Sequence, residues 1–361
     1  MPGPAAMGTR QPIYRIDPLK DRRWDDLVSR HESASVFHST QWLEALRRTY
    51  GYNSIALTTS SPDEPLENGF VFCRVESWLT GRRLVSLPFS DHCEPLVRGP
   101  EDLDVFLRAI EEECTQGNWR YVEIRPVQTL KIESPYCHEV AQYTFHRLDL
   151  EPNVDTLFRN LHKDSIQRKI QRAKREGLTY SEEPAESSLE AFYELLTVTR
   201  RRHHVPPQPK SWFRNLIACF GDALQIRVAY KGNHPIAGML TLRHKDALVY
   251  KYGGSDVRFN NLGGMHLLYW EAIQRAKDSG LREFDLGRSD ADQAGLITFK
   301  KRWGAAQTKL TYLRFTPSAH HLHAFDPSRI TWKTRMAKRV FGSTPTRLLP
   351  MLGEALYRHI G

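Results

Sequence analysis

Three groups of residues between Tyr250 and Gly304 have the types and spacing that polar chemistry requires. The first, Asp285-Leu286-Gly287-Arg288-Ser289-Asp290, overlaps the end of a strand-like run, REFDLG, at 282–287. Open α/β sheets gather polar groups over a crevice at the carboxyl ends of their strands. In such a place Arg288 can clamp a carboxylate or phosphate bidentately, and Asp285 can orient or deprotonate an amine. An Asp–Arg pair that only fastens a turn uses the same residues. The second group is Phe299-Lys300-Lys301-Arg302-Trp303-Gly304. Clustered cations depress a lysine pKa, and a poised lysine neutralises charge developing on an oxyanion. Spacing alone fits better a surface lysine beside a buried Phe299 and Trp303. The third group, Asn260-Asn261-Leu262-Gly263-Gly264, leads straight into a helix. Glycines let the backbone approach a ligand, and the free N–H groups of a helix start bind phosphate. Gly263 and Gly264 are therefore the cofactor-binding candidates, although a tight turn has the same signature.

Asp91-His92-Cys93 suggests a Cys–His nucleophile, but neighbours on a strand point to opposite faces and pair badly. A structural or acceptor-contact role suits Asp91 and His92 better. His320-His321-x-His323 lacks a second ligand cluster and reads as a solvated loop rather than a metal site. The five cysteines are scattered and form no CxxC pair, which argues against a disulfide framework and against structural zinc.

These groups need elements to position them. Apolar spacing and caps predict helices over 38–50 and 101–115, with strands at 54–59, 68–77, 83–88 and 119–125. A strand at 145–150 then leads into a basic helix over 155–176, stopped by Gly177. Helices follow at 187–203 and 209–220, separated by a proline-rich break. Strands at 224–230, 235–242 and 247–252, a helix at 263–278, a strand at 282–287, a short helix at 293–302 and a strand at 308–315 complete the order. A helix, a glycine and the strand WRYVEIR in the first half echo a helix, Gly280 and LREFDLG in the second, with Glu123 opposite Asp285. The pattern suggests duplication of one α/β module.

The length of 361 residues fits two domains, and 40% hydrophobic with 26% charged residues fits a globular chain. No apolar run reaches the ~18–20 residues that span a bilayer, and the first residues lack a signal-peptide core, so a cytoplasmic location is expected. The net charge of +9 is uneven: residues 158–176 hold seven Lys/Arg against two acids, and 329–361 hold seven against one. Such faces suit anionic partners, whether a phosphorylated cofactor, tRNA or a membrane surface.

The run from about 161 to 315 resembles the FemAB-like branch of the GNAT acyltransferase superfamily, which includes the Fem-type peptidoglycan aminoacyltransferases. The residues that carry it are Leu161-His162-Lys163 with Arg168, Ile170 and Ala173 to Gly177, then Tyr252-Gly253-Gly254-Ser255, Phe284 to Arg288, and Phe299-Lys300 with Trp303-Gly304. Phe37-His38, Gln41-Trp42 and Leu87 to Asp91 resemble first-half motifs of the same branch. The resemblance implies an α/β fold of two tandem GNAT-like domains and transfer of an acyl or aminoacyl group from an activated ester to an amine. It implies Phe299 and Lys300 at the transfer centre and Tyr252 and Arg202 near acceptor-binding positions, with the register of Arg202 among three adjacent arginines left open. Together with the reading of the residues themselves, Lys300 and Asp285 are the catalytic candidates, and Tyr252, Arg202, Arg288, Phe299, Asp91 and His92 the substrate-binding ones. Two features depart from the pattern. Residues 187–220 are too short for the long helical arm of many Fem-type enzymes, and the 260–265 segment lacks the usual acetyl-CoA loop. The donor expected is thus acyl-CoA or aminoacyl-tRNA as a co-substrate, with no tightly bound cofactor and no metal. The acceptor is a small-molecule or lipid-linked amine, and the oligomeric state stays open.

The division expected is a disordered 1–12, a first domain at 13–140, a second at 141–316 holding the active site, and a basic amphipathic helical tail at 317–361. The tail stripes (Trp332, Met336, Val340 and Phe341, then Leu348, Leu349, Leu352, Leu356 and Ile360) fit packing on the second domain, or peripheral contact with an anionic membrane. A non-catalytic module that binds RNA or membrane through its basic faces is the alternative to the enzyme.

Overall fold

The computed structural model describes residues 11–182, 185–317 and 348–360. Its twelve strands form one mixed sheet in the order β1-β2-β3-β4-β5-β12-β6-β11-β10-β9-β8-β7. In the first half these are β1 (Tyr14–Ile16), β2 (Asn53–Thr58), β3 (Phe70–Ser77), β4 (Gly81–Val85) and β5 (Tyr121–Ile124). The second half supplies β7 (Thr179–Glu182), β8 (Leu224–Lys231), β9 (His234–His244), β10 (Ala247–Ser255) and β11 (Glu283–Asp290). Each half runs antiparallel until a helix crosses over to make one parallel pair, β4 with β5 and β10 with β11. That parallel step needs a long connection. α3 (Pro100–Gln116) provides it in the first half and α8 (Gly264–Asp278) in the second. The chain is thus two tandem α/β modules of like strand order, as the repeated pattern suggested.

The halves exchange strands at the seam. β6 (Cys137–Asp149) follows β5 in the chain but pairs with β11, while β12 (Ala306–Phe315) follows β11 and pairs with β5. The two exchanged strands lie antiparallel along each other, from Ala306 opposite Arg147 to Phe315 opposite Cys137. One apolar core is also common to both halves. Trp42 of α2 (Thr40–Tyr50) meets Trp212 of α7 (Lys210–Phe220) edge-on at 5.2 Å, and Val249 and Tyr252 of β10 join the same cluster.

Most expected elements are present within a few residues, and Ser39 caps α2 by accepting the Trp42 N–H. Two expectations need correction. The basic helix over 155–176 is broken into α4 (Val154–Asn160), a π-helical turn at Lys163–Gln167 and α5 (Arg168–Arg175). The break falls where the His162 N–H leaves the helix to donate to the Arg302 carbonyl at 2.9 Å. The second correction is that β6 begins eight residues before the predicted 145, because its first part is half-exposed and carries little apolar alternation. Three elements gave no readable pattern: β1, α1 (Arg23–Arg30) and β7. In the tail, α10 (Leu349–Ile360) is present, while residues 330–341 and the His320–His323 run lie outside the described residues.

α6 (Glu186–Arg202) lies so close to β10 that a Cβ on Gly254 would sit 2.6 Å from the backbone of Leu195 and Leu196. Backbone cannot swing aside, so Gly254→Ala should destabilise the protein by about 1–3 kcal/mol in urea unfolding. Gly295, in α9 (Ala294–Arg302), meets nothing within 4 Å, and Gly295→Ala should be neutral or stabilising by ~0.5–1 kcal/mol.

Candidate functional site

β10 and β11 pair only from Ala247 opposite Glu283 to Val249 opposite Asp285, and then part. Beyond that point β10 follows β9 past a bulge between Tyr250 and Tyr252. β11 follows β6 past an irregularity between Asp285 and Arg288. The parting leaves a gap in the sheet, and Asp91 of the first half enters it. A Cβ on Gly287 would lie 2.8 Å from Asp91 Oδ2, and Gly287 has φ +70°, so both space and backbone require glycine there.

Asp91 is surrounded by cations of the second half. Lys251, on the bulge, donates to Asp91 Oδ1 at 3.1 Å, and Arg288 Nε approaches the same oxygen at 3.7 Å. Burial pushes the Asp91 carboxyl up, but Lys251 and Arg288 outweigh burial and hold it below the ordinary carboxylate value. Burial pulls Lys251 below the usual lysine range, against the attraction of Asp91. Lys300 of α9 is only 2% exposed, and it donates to the carbonyls of Gly287 and Arg288, each at 3.0 Å. A lysine has three donors, so one remains. Burial brings Lys300 down to about 8, despite the nearby Asp91 and Asp285 carboxylates.

Asp285 is engaged on both oxygens. Oδ1 accepts the Gly287 N–H at 2.6 Å, and His92 Nε2 donates to Oδ2 at 3.1 Å. His92 Nδ1 is buried with no hydrogen-bond partner in the structure. The Asp91 and Arg288 side chains keep 16% and 31% exposure, against 5% for Lys251, so the mouth of the cluster lies between them. The Arg288 guanidinium stacks over Tyr143 at 3.9 Å, while its NH1 is buried without a hydrogen-bond partner.

The loop carrying Asp91 is held from several sides. Tyr312 donates to the Asp91 carbonyl at 2.7 Å, and Arg125 donates to the Leu87 carbonyl at 2.8 Å. Arg125 also stacks over the Tyr312 ring at 4.9 Å and pairs with Glu123 at 2.8 Å. The link read between Glu123 and Asp285 therefore joins two carboxylates that serve the seam from opposite halves.

The structure brings together Asp285, Arg288, Lys300, Asp91 and His92 from the sequence-based set. The others lie apart. Phe299 packs in the second core, edge-on to Tyr269 at 5.4 Å. Tyr252 is a core ring whose hydroxyl already accepts from Gln208 and Trp212 at 2.8 and 2.9 Å. Arg202 is exposed at the end of α6, whereas Arg200 is the arginine of that run whose charge acts on Tyr250 and Tyr252. Gly263 has φ +86°, and a Cβ there would meet the Lys169 carbonyl at 2.5 Å; a Cβ on Gly264 would meet Ile236 at 3.0 Å. Packing alone thus accounts for both glycines. His92 and Cys93 do diverge: His92 faces Asp285, and Cys93 Sγ lies 3.5 Å from His38 Nε2. Burial pushes the Cys93 thiol well up and takes His38 down to about 3, so this pair holds no thiolate. Sequence reasoning missed Lys251 and Tyr312, since nothing in YKYGG or TKLTYLRF announces a bulge or a seam. No group of three or more His, Cys, Asp or Glu residues among the described residues is placed to hold a metal ion.

Residues 160–301 match the family model for an acetyltransferase (GNAT) domain, which contains the parted strands, Lys251, Asp285, Arg288 and Lys300. The match lies within the second half of the chain. The fold of the whole chain is similar to the crystal structure of FemX, with a TM-score of 0.64 at 14% identity over 80% of this chain and 95% of that one. A tandem GNAT protein from the clavulanic acid biosynthesis pathway gives 0.53 at 10% identity over 85% and 98%. The C-terminal domain of a putative lysylphosphatidylglycerol synthetase from Agrobacterium fabrum gives 0.51 at 14% identity over 82% and 92%. No curated protein matches the chain.

Removing one partner of a buried ion pair strands the other charge. Asp91→Asn should cost about 3–5 kcal/mol in urea unfolding, and Asp91→Asn with Lys251→Met should recover most of that loss. A loss in the double variant equal to the sum of the losses in the Asp91→Asn and Lys251→Met single variants would mean that the pair is not coupled.

Proposed function

We propose that the protein transfers an acyl or aminoacyl group from an activated thioester or ester to an acceptor amine at the mouth between Asp91 and Arg288. The observation that carries this reading is the set of three cations, Lys251, Arg288 and Lys300, gathered around the carboxylates of Asp91 and Asp285 where the strands part. Preorganised charge in a water-poor site is what a transient oxyanion needs. The amine nitrogen attacks the donor carbonyl carbon, forming the C–N bond and driving the carbonyl π pair onto oxygen. Collapse of that oxyanion breaks the C–S or C–O bond, and the leaving thiolate or alkoxide takes up the proton that nitrogen loses.

Asp91 accepts an N–H of the amine and orients it. Arg288 offers its free NH1 to the oxyanion or to a carboxylate or phosphate of the acceptor. Lys300 is a positioning residue: its two carbonyl bonds fix the kink that aims Arg288, and its charge offsets Asp91 and Asp285. Asp285 positions His92 rather than meeting the amine itself. Acyl-CoA and aminoacyl-tRNA are the donor classes. A peptidoglycan or other envelope precursor, free or lipid-linked, is the acceptor class that suits a fold shared with FemX.

Thermal shifts of the full-length protein with acetyl-CoA and with charged tRNA test the donor. Stabilisation by either supports an enzyme; a response only to anionic polymers or vesicles supports a non-catalytic binding module instead. If protonated Lys300 holds the active geometry, kcat/KM should fall as pH rises through about 8, where that lysine loses its proton. Lys300→Arg should keep the fold and lose this falling limb, since arginine stays charged. A wild-type profile with no fall between pH 7 and 9.5 removes Lys300 from the mechanism.

A further inference from the structure

The turn between β3 and β4 presents Trp78 at 86% exposure and Leu79 at 52%. A tryptophan this exposed forgoes the burial of a large apolar surface. The end of α10 is fastened to the same turn. Thr80 Oγ1 and Arg83 NH2 donate to the His359 carbonyl at 2.7 and 2.8 Å, Ser77 Oγ lies 3.0 Å from His359 Nδ1, and the Trp78 and His359 rings meet edge-on at 5.6 Å. Ile360, 54% exposed, completes an apolar tip with Trp78 and Leu79.

Exposed arginines flank this tip. Arg120 donates to the Thr80 carbonyl at 3.0 Å, Arg82 stacks on Trp119 beside its ion-pair partner Glu76, and Arg358 precedes His359.

We propose that this tip is a docking surface for an anionic lipid bilayer, with Trp78, Leu79 and Ile360 entering the interface and the arginines meeting lipid phosphates. Tryptophan favours the membrane–water interface, and each Lys/Arg near an anionic surface adds ~1 kcal/mol. A tip of three apolar side chains offers far less area than the ~1,200 Å² of a stable protein–protein contact, whereas a bilayer accepts a small projection. No helix among the described residues is long and apolar enough to cross a membrane, so the contact is peripheral. It rests on none of the acyl-transfer chemistry.

The test is flotation of the full chain with vesicles of phosphatidylcholine alone and of phosphatidylcholine with phosphatidylglycerol, at low and at moderate salt. Wild type should float with the anionic vesicles, more at low salt, and Trp78→Ser/Leu79→Ser should float at least fivefold less. The thermal response to acyl donors should not change in that variant, which separates this inference from the catalytic one. The proposal is overturned if wild type does not float, or if the variant floats as well as wild type. It is equally overturned if the tip substitutions abolish a dimer in solution without affecting flotation.

Discussion

Taking a carboxylate out of water costs several kcal/mol unless other charges and donors replace the lost solvation. At the seam that carboxylate is Asp91, and the replacement comes from Lys251 and Arg288 on strands of the opposite half. The backbone is bent to deliver it: Leu87 and Phe89 adopt φ of +63° and +61°, conformations that cost about 1–3 kcal/mol each outside glycine. Tyr312 and Arg125 hold the bent loop by its carbonyls, and Glu123 holds Arg125 in turn. Without Asp91, Lys251 would be a stranded buried charge and the loop would have no reason to keep its strain. The parted strands and the first-half loop thus require each other.

Much of this could be read from residue order. The crossover helices, the Ser39 cap and the echo between WRYVEIR and LREFDLG all follow from local pattern, and local pattern carries module architecture. Asp285 and Arg288 were also legible, because strand ends are visible in one dimension, whereas spacing alone read Lys300 as a surface lysine and the structure buries it. Lys251 was not legible. It sits in a strand of ordinary composition, and only a bulge and a partner 160 residues away give it a role. Gly263 and Gly264 show the opposite case: a phosphate-like signature whose glycines also have a packing reason, the nearby Lys169 backbone and Ile236. A turn made for close packing and a turn made for a ligand use the same residues, and only the third dimension separates them.

α10 links the periphery to the site. Tyr357 donates to the Pro206 carbonyl at 3.0 Å, and its ring lies 5.7 Å from Phe89, two residues before Asp91. Gly353 lets the helix approach the Pro206-Pro207 segment, where a Cβ would meet the Pro207 carbonyl at 2.0 Å. α10 therefore buttresses the strained loop at Phe89.

The exchange of β6 and β12 has a consequence for biosynthesis. While β12 is still inside the ribosome, β5 and β6 each present an unpaired edge, and such edges recruit other chains. The sheet closes only when residues 306–315 arrive, some 180 residues after β5, and pairing over that separation is slow. A chain that ends before Ala306 would therefore lose more than its last strand. It would keep two open edges, and its natural fate is aggregation rather than a smaller working enzyme.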